Sequence, residues 1–156
     1  MSNVLSEGDA APDFKLIADN YDEITLSGCS GKNVVLFFYP KDETPGCTQE
    51  CKDFTEFLPD FKEADTLVMG VSKDDVESHE HFKQISKLEV TLLADPEMQA
   101  LELYGVWVEK NMYGKKYMGI ERSTFLIDKQ GKVSKIWRKV KVRGHVEEVL
   151  AEVKAL

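Results

Sequence analysis

The stretch "NVVLFFYPKDETPGCTQECKDF", residues 33–54, decides how this chain is read. Asn33–Tyr39 is a continuous β-branched and aromatic run, the pattern of a strand buried on both faces. Pro40 ends the run, and Pro45-Gly46 signals a tight turn. Beyond the turn, Cys47, Cys51, Phe54, Leu58 and Phe61 recur at spacings of 4, 3, 4 and 3. That spacing marks one face of a helix beginning near Cys47. Pro59 should kink or divide that helix. A strand, a turn and a helix in this order place Cys47 at the carboxyl end of a central strand. Open α/β sheets hold their sites there.

The flanking sequence extends the pattern. "FKLIADNYDEITL" predicts an N-terminal β-hairpin turning at Asp19–Asp22. "TLVMGVS" is a second buried strand. "DDVESHEHFKQISKL" carries acidic residues in its first turn and Lys87 in its last, as a helix prefers. "TLLAD" is a short strand, followed by a helix with Asp95 as cap and Pro96 at its first position. "RSTFLID" and "GKVSKIWRKV" form a closing strand pair, and Val146, Val149, Leu150 and Val153 line a C-terminal helix. The order predicts an α/β fold with a mixed central sheet flanked by helices. No repeat or linker interrupts it, so residues 1–156 are read as a single domain.

Charge is uneven along the chain. Residues 1–109 hold 8 Lys/Arg against 23 Asp/Glu, and residues 110–143 hold 11 against 2. In "KIWRKVKVR" the basic residues partly alternate with Ile136, Val140 and Val142, as on a half-solvated strand. With a net charge of −8, nucleic acid is not an expected partner. The longest apolar run, Val34–Tyr39, is too short to span a bilayer, so no membrane partner is expected either. "MSNVLSEGDAAPDF" lacks the basic and apolar regions of a secretory leader. Three cysteines suit a reducing compartment, so a cytoplasmic location is expected.

The chemistry centres on Cys47. Unpaired N–H groups and the dipole at a helix N-terminus favour an anion, and hence a thiolate. Thr44 offers a hydroxyl three residues earlier. A helix end contributes only about 1–2 kcal/mol, so a nearby cation is wanted. Arg122, at the start of "RSTFLID", is the candidate. Cys47 and Cys51 have three residues between them, so this is not a CxxC dithiol.

Pro40, Thr44 and Cys47 form the pattern P-x-x-x-T-x-x-C, which resembles the active-site signature of peroxiredoxins. With "GDAAPDF", "YPKDETPGCTQE" and "MYGKKYMGIERSTFLID", the chain resembles the bacterioferritin-comigratory, or Q-type, branch from about Glu7 to the C-terminal helix. The resemblance implies a thioredoxin-like fold of the peroxiredoxin type. It implies a thiol peroxidase that reduces hydrogen peroxide and organic hydroperoxides in antioxidant defence. It makes Cys47 the peroxidatic thiolate. Thr44 would hydrogen-bond thiolate and peroxide, Pro40 would shield the pocket, and Arg122 would hold the thiolate and polarise the peroxide. Glu50 would steady the arginine. A thioredoxin or glutaredoxin-type reductant and a monomeric state are implied, with a dimer as the alternative. No metal or organic cofactor is required, because sulfur carries the redox chemistry.

Cys51 departs from the branch pattern. The resolving cysteine of that branch commonly lies five residues after the peroxidatic one, where this chain has Lys52. The other resolving position lies on the helix after the second strand, and "DDVESHEHFKQISKL" has no cysteine. Helical residues four apart have Cβ atoms about 5–6 Å apart. A disulfide needs about 3.8 Å. A Cys47–Cys51 bridge therefore requires the first helical turn to unwind. Cys51 stands either as a resolving thiol or as a small buried hydrophobe on the apolar stripe. Cys29, in "SGCSGK", is expected to be an incidental exposed thiol. His79 and His81 are expected to be solvated, and His145 structural. Two rival readings are a CxxxC copper chaperone, with His145 as third ligand, and a protein-disulfide oxidoreductase.

Overall fold

The computed structural model describes residues 5–156; Met1–Val4, part of the stretch read above for a leader, lie outside the described residues. The strands are β1 (Lys15–Ala18), β2 (Glu23–Thr25), β3 (Asn33–Phe38), β4 (Thr66–Ser72), β5 (Thr91–Ala94), β6 (Trp107–Met112), β7 (Lys115–Ile120), β8 (Ser123–Ile127) and β9 (Val133–Trp137). The helices are α1 (Pro45–Glu63), α2 (Val76–Ser86), α3 (Gln99–Leu103) and α4 (His145–Lys154). Seven strands form one mixed sheet in the order β2-β1-β5-β4-β3-β8-β9. β3, β4 and β5 run parallel to their neighbours in that set, and β8 and β9 pair antiparallel. This is the thioredoxin-like arrangement expected, with the N-terminal hairpin in place.

β3 is buried along its whole length. Val34, Leu36 and Phe38 face a core shared with Leu101, Tyr104 and Phe125. Val35, Phe37 and Tyr39 face the opposite core, shared with Cys51, Phe54, Phe61 and Val149. The period of two thus sends alternate residues into two separate cores.

Three local expectations are corrected. Pro59 does not divide α1, which runs unbroken for 19 residues. Phe54 and Phe61, on either side of Pro59, pack into one core layer. That burial outweighs the roughly 3 kcal/mol that an interior proline costs. Pro96 is not the first residue of a helix; α3 begins three residues later, after Met98 in a left-handed conformation. Asp95 still caps it from a distance, accepting the N–H groups of Gln99 and Leu101 at 2.7 and 2.8 Å. β9 ends at Trp137, so Val140 and Val142 lie beyond the strand.

The β6–β7 hairpin goes unassigned in the sequence reading. Its turn, Tyr113-Gly114, has φ of 52° and 81°, the twist that a two-residue hairpin favours. The strands are largely solvated and lysine-bearing, so no apolar alternation marks them. Among the described residues, no helix is long and apolar enough to cross a membrane.

Gly70 on β4 makes room for an aromatic stack beneath the thiol-bearing helix. A Cβ there would lie 2.5 Å from Phe37 Cζ, and Phe37 stacks on Phe54 with centroids 4.4 Å apart. Gly70→Ala should therefore destabilise the fold by about 1–3 kcal/mol through overpacking. Urea unfolding checks this, with a lowered midpoint and unchanged slope expected.

Candidate active site

The register of the sheet builds the site. Phe38 pairs with Ser123 across β3 and β8. Tyr39 and Arg122, the next residues outward, therefore meet at the same end of the sheet. The chain leaves β3 at Tyr39, crosses a short loop and enters α1 at Pro45, with extended Thr44 as its N-cap. Cys47 is the third helical residue and is 1% exposed. No side-chain hydrogen bond from Thr44 caps this end. The positive helix end therefore faces the sulfur environment without a capping hydroxyl.

Arg122 reaches over this first turn. Its Nη2 donates to Cys47 Sγ at 3.4 Å, and its Nη1 donates to Glu50 Oε1 at 2.6 Å. Gly46 permits the approach, because a Cβ there would sit 3.2 Å from Arg122 Nη2. Val140, three residues beyond β9, helps fix the arginine: its N–H donates to the Arg122 carbonyl at 2.9 Å. Glu50 is fully buried, and its Oε2 has no hydrogen-bond partner among the described residues. Burial pushes Glu50 up to about 7, against the pull of the Arg122 charge. Burial also opposes the charge on Arg122, but Glu50 and Cys47 more than offset this and raise it further.

The other expected residues are placed as follows. Thr44 is not bonded to the sulfur; its hydroxyl donates to the Lys41 carbonyl at 2.8 Å. Pro40 is half-buried and lines a cavity of about 500 Å³ with Trp107, Lys110, Tyr117 and Ile120. Cys51 lies one turn beyond Cys47 and is 0% exposed. Burial pushes its thiol well up, and the charges of Glu50 and Cys47 add to this. The three cysteines are free thiols.

Two readings of lone residues change. Cys29 is half-buried rather than exposed, its Sγ 3.4 Å from the Thr25 carbonyl, and it packs against the core on the other face of the sheet. His79 is 0% exposed rather than solvated. The H-x-H spacing does split the two rings across helix faces. His79, however, shares its face with Phe82, and that face is core. His81 is exposed, at 3.0 Å from Glu43. His145 is structural, its Nε2 at 2.8 Å from Thr124 Oγ1, and burial pushes it down to about 4. Lys110 escaped the sequence reading because the hairpin that carries it did. It neighbours the site closely enough for Arg122 and Cys47 to act on its charge, although burial is the larger cause of its lowered pKa.

Comparison with known proteins accords with this geometry. The AhpC/TSA family profile matches residues 7–136. Peroxiredoxin Bcp of Bacillus subtilis is 50% identical over 147 residues, covering 94% of each chain. The Xanthomonas campestris bacterioferritin comigratory protein superposes with a TM-score of 0.89 at 43% identity, covering 97% of each chain. A cysteine-to-serine mutant of Xylella fastidiosa PrxQ superposes with a TM-score of 0.93 at 37% identity, covering 99% of this chain and 98% of that one. These relatives are peroxiredoxins rather than copper carriers. The chain belongs to the AhpC/TSA family and, within it, to the Bcp/PrxQ peroxiredoxins, and is therefore a thiol peroxidase.

Proposed function

We propose that Cys47 is the peroxidatic cysteine and that Cys51 resolves it within the same chain. The observation that carries this reading is the Arg122 guanidinium, which donates to Cys47 Sγ with one nitrogen and to buried Glu50 with the other. The Cys47 thiolate attacks one peroxide oxygen; the S–O bond forms as the O–O bond breaks, and the sulfur is oxidised to a sulfenic acid. The leaving oxygen departs as hydroxide or alkoxide and takes up a proton. Arg122 lies where it can stabilise that developing charge, and Glu50 holds the guanidinium in place. Thr44 turns its hydroxyl from Lys41 toward the incoming peroxide, and Pro40 excludes water from the approach. Hydrogen peroxide and organic hydroperoxides are the substrates. The Xanthomonas relative is described by its alkyl peroxide reduction activity, which favours alkyl hydroperoxides here too.

The second half-reaction needs movement. A helical turn keeps Cys47 and Cys51 too far apart to bridge. Burial also holds Cys51 protonated. Unwinding the first turn of α1 removes both obstacles, since it brings the sulfurs together and returns Cys51 to water. Attack of Cys51 on the sulfenic acid then gives a disulfide and water. A thioredoxin or glutaredoxin-type dithiol reduces the bridge. We further propose a single-domain, monomeric enzyme of the cytoplasm.

Cys47→Ser should abolish peroxide consumption, measured by coupled turnover. Arg122→Ala should lower the rate constant for the peroxide step by about 10²–10³, the usual cost of one aimed donor. After one equivalent of peroxide, mass spectrometry should show loss of two hydrogens within one chain, mapped to Cys47 and Cys51. Cys51→Ser should instead retain one added oxygen. A mixed dimer, or oxygen retained in the wild type, would count against the bridge.

Glu50 gives a pH prediction. A carboxyl raised from 4.5 to about 7 binds its proton more tightly in the folded state. Stability therefore falls as pH rises between those values, by about 3 kcal/mol in all. Glu50→Gln should flatten that slope in denaturant titrations across the same range.

A further inference from the structure

We infer that His79 is a buried imidazolium whose ion pair with Asp42 clamps the Pro40–Thr44 loop to α2, and that this clamp positions the peroxide-reducing site. The inference rests on the reading of Cys47 given above. Both ring nitrogens of His79 face acceptors. Nδ1 lies 2.7 Å from Asp42 Oδ2, and Nε2 lies 2.9 Å from the Leu93 carbonyl oxygen. A carbonyl only accepts, so Nε2 carries a proton. Asp42 also accepts from Tyr39 OH at 2.6 Å and from Ser78 Oγ at 2.7 Å. Two hydroxyl donors stabilise the carboxylate, so the shared proton sits on Nδ1. The ring is 0% exposed and Asp42 only 5%, so each charge depends on the other for compensation.

The clamp joins three parts of the fold. His79 lies on α2, Leu93 on β5, and Asp42 in the loop that carries Pro40 and Thr44. The Asp42 backbone N–H donates to Asp74 Oδ2 at 2.8 Å, which ties the same loop to the end of β4. Next to Asp42 in the chain, the Lys41 carbonyl holds the Thr44 hydroxyl. Displacing Asp42 therefore displaces Thr44, the N-cap of the helix that begins two residues before Cys47. His79 touches neither substrate nor sulfur; it is a positioning residue.

Titration gives the clamp a signature. Asp42, Tyr39 and the Leu93 carbonyl face the ring; Asp74 accepts from the Asp42 N–H, and the Asp42 charge also acts on the Cys51 thiol. Tyr39 is held well above its ordinary range by burial, so it remains a donor. Burial opposes the charge on His79, but the hydrogen bond and charge of Asp42, with the Leu93 carbonyl, raise it above 6.5 overall. The clamp is thus complete below 6.5 and released as pH rises through the raised value.

Nitrogen-15 NMR of the resting protein at pH 6, with no peroxide present, should show protons on both His79 ring nitrogens. His79→Gln should slow the stopped-flow peroxide step by about tenfold to a hundredfold. The wild-type rate constant should fall on the alkaline side, and the His79→Gln profile should lack that limb. A ring with a single proton at pH 6, a His79→Gln rate equal to wild type, or a wild-type profile without an alkaline fall would each overturn the inference. The NMR signature needs no substitution and no turnover. It therefore stands or falls separately from the proposal that Cys47 is the attacking thiol.

Discussion

The site depends on one guanidinium held in a fixed place. Arg122 is 75 residues from Cys47 in sequence, yet its two terminal nitrogens bind the sulfur and the Glu50 carboxylate together. A planar fork suits this double duty, which a lysine would not reproduce. Three features of the fold make the contact available. The β3–β8 register brings Arg122 to the end of the sheet from which the thiol loop departs. Gly46 leaves open the space that the guanidinium crosses. Glu50, one turn into α1 and fully buried, anchors the far side of the fork.

The proposed Cys47–Cys51 bridge would require the same helix end to come apart. The first turn of α1 holds Cys47 buried against the arginine, with Cys51 buried one turn further on. The proposed resolving step would require the opposite arrangement, because a helical turn separates the two sulfurs and burial raises the Cys51 thiol. The turn is held by the Thr48 bonds to the Thr44 carbonyl, by the Arg122 contacts and by packing around Phe54. The Asp42–His79 pair fixes the loop on one side of this turn, and the Phe37–Phe54 stack fixes the helix on the other. Between these anchors lies the segment that the proposed bridge would unwind.

The strand, turn and helix around Cys47 were legible because burial on both faces of β3 leaves a continuous apolar run. The Pro-Gly turn then fixes where the helix starts. Arg122 could be nominated from its place before a strand, but its contact with Cys47 belongs to the sheet register and leaves no local signal. The family resemblance supplied what spacing could not. His79 was misread because H-x-H was weighed as a pair. Its spacing of three to buried Phe82 was the available signal that one ring faces the core. The β6–β7 hairpin was illegible because solvated strands show no alternation, and its Tyr-Gly turn is not among the strong hairpin dipeptides. The Thr44 hydroxyl bond to Lys41 is a rotamer choice, which residue type and spacing do not encode.

The central claim is that Arg122 acts on Cys47 as a guanidinium held in place by Glu50. A double-mutant cycle on the stopped-flow rate constant for peroxide tests it most directly, using Arg122→Lys, Glu50→Gln and the double variant. The account predicts strong coupling. Glu50→Gln should slow the wild-type background severalfold and change the Arg122→Lys background little. Equal effects in the two backgrounds would mean that Glu50 does not work through Arg122, and would contradict the account.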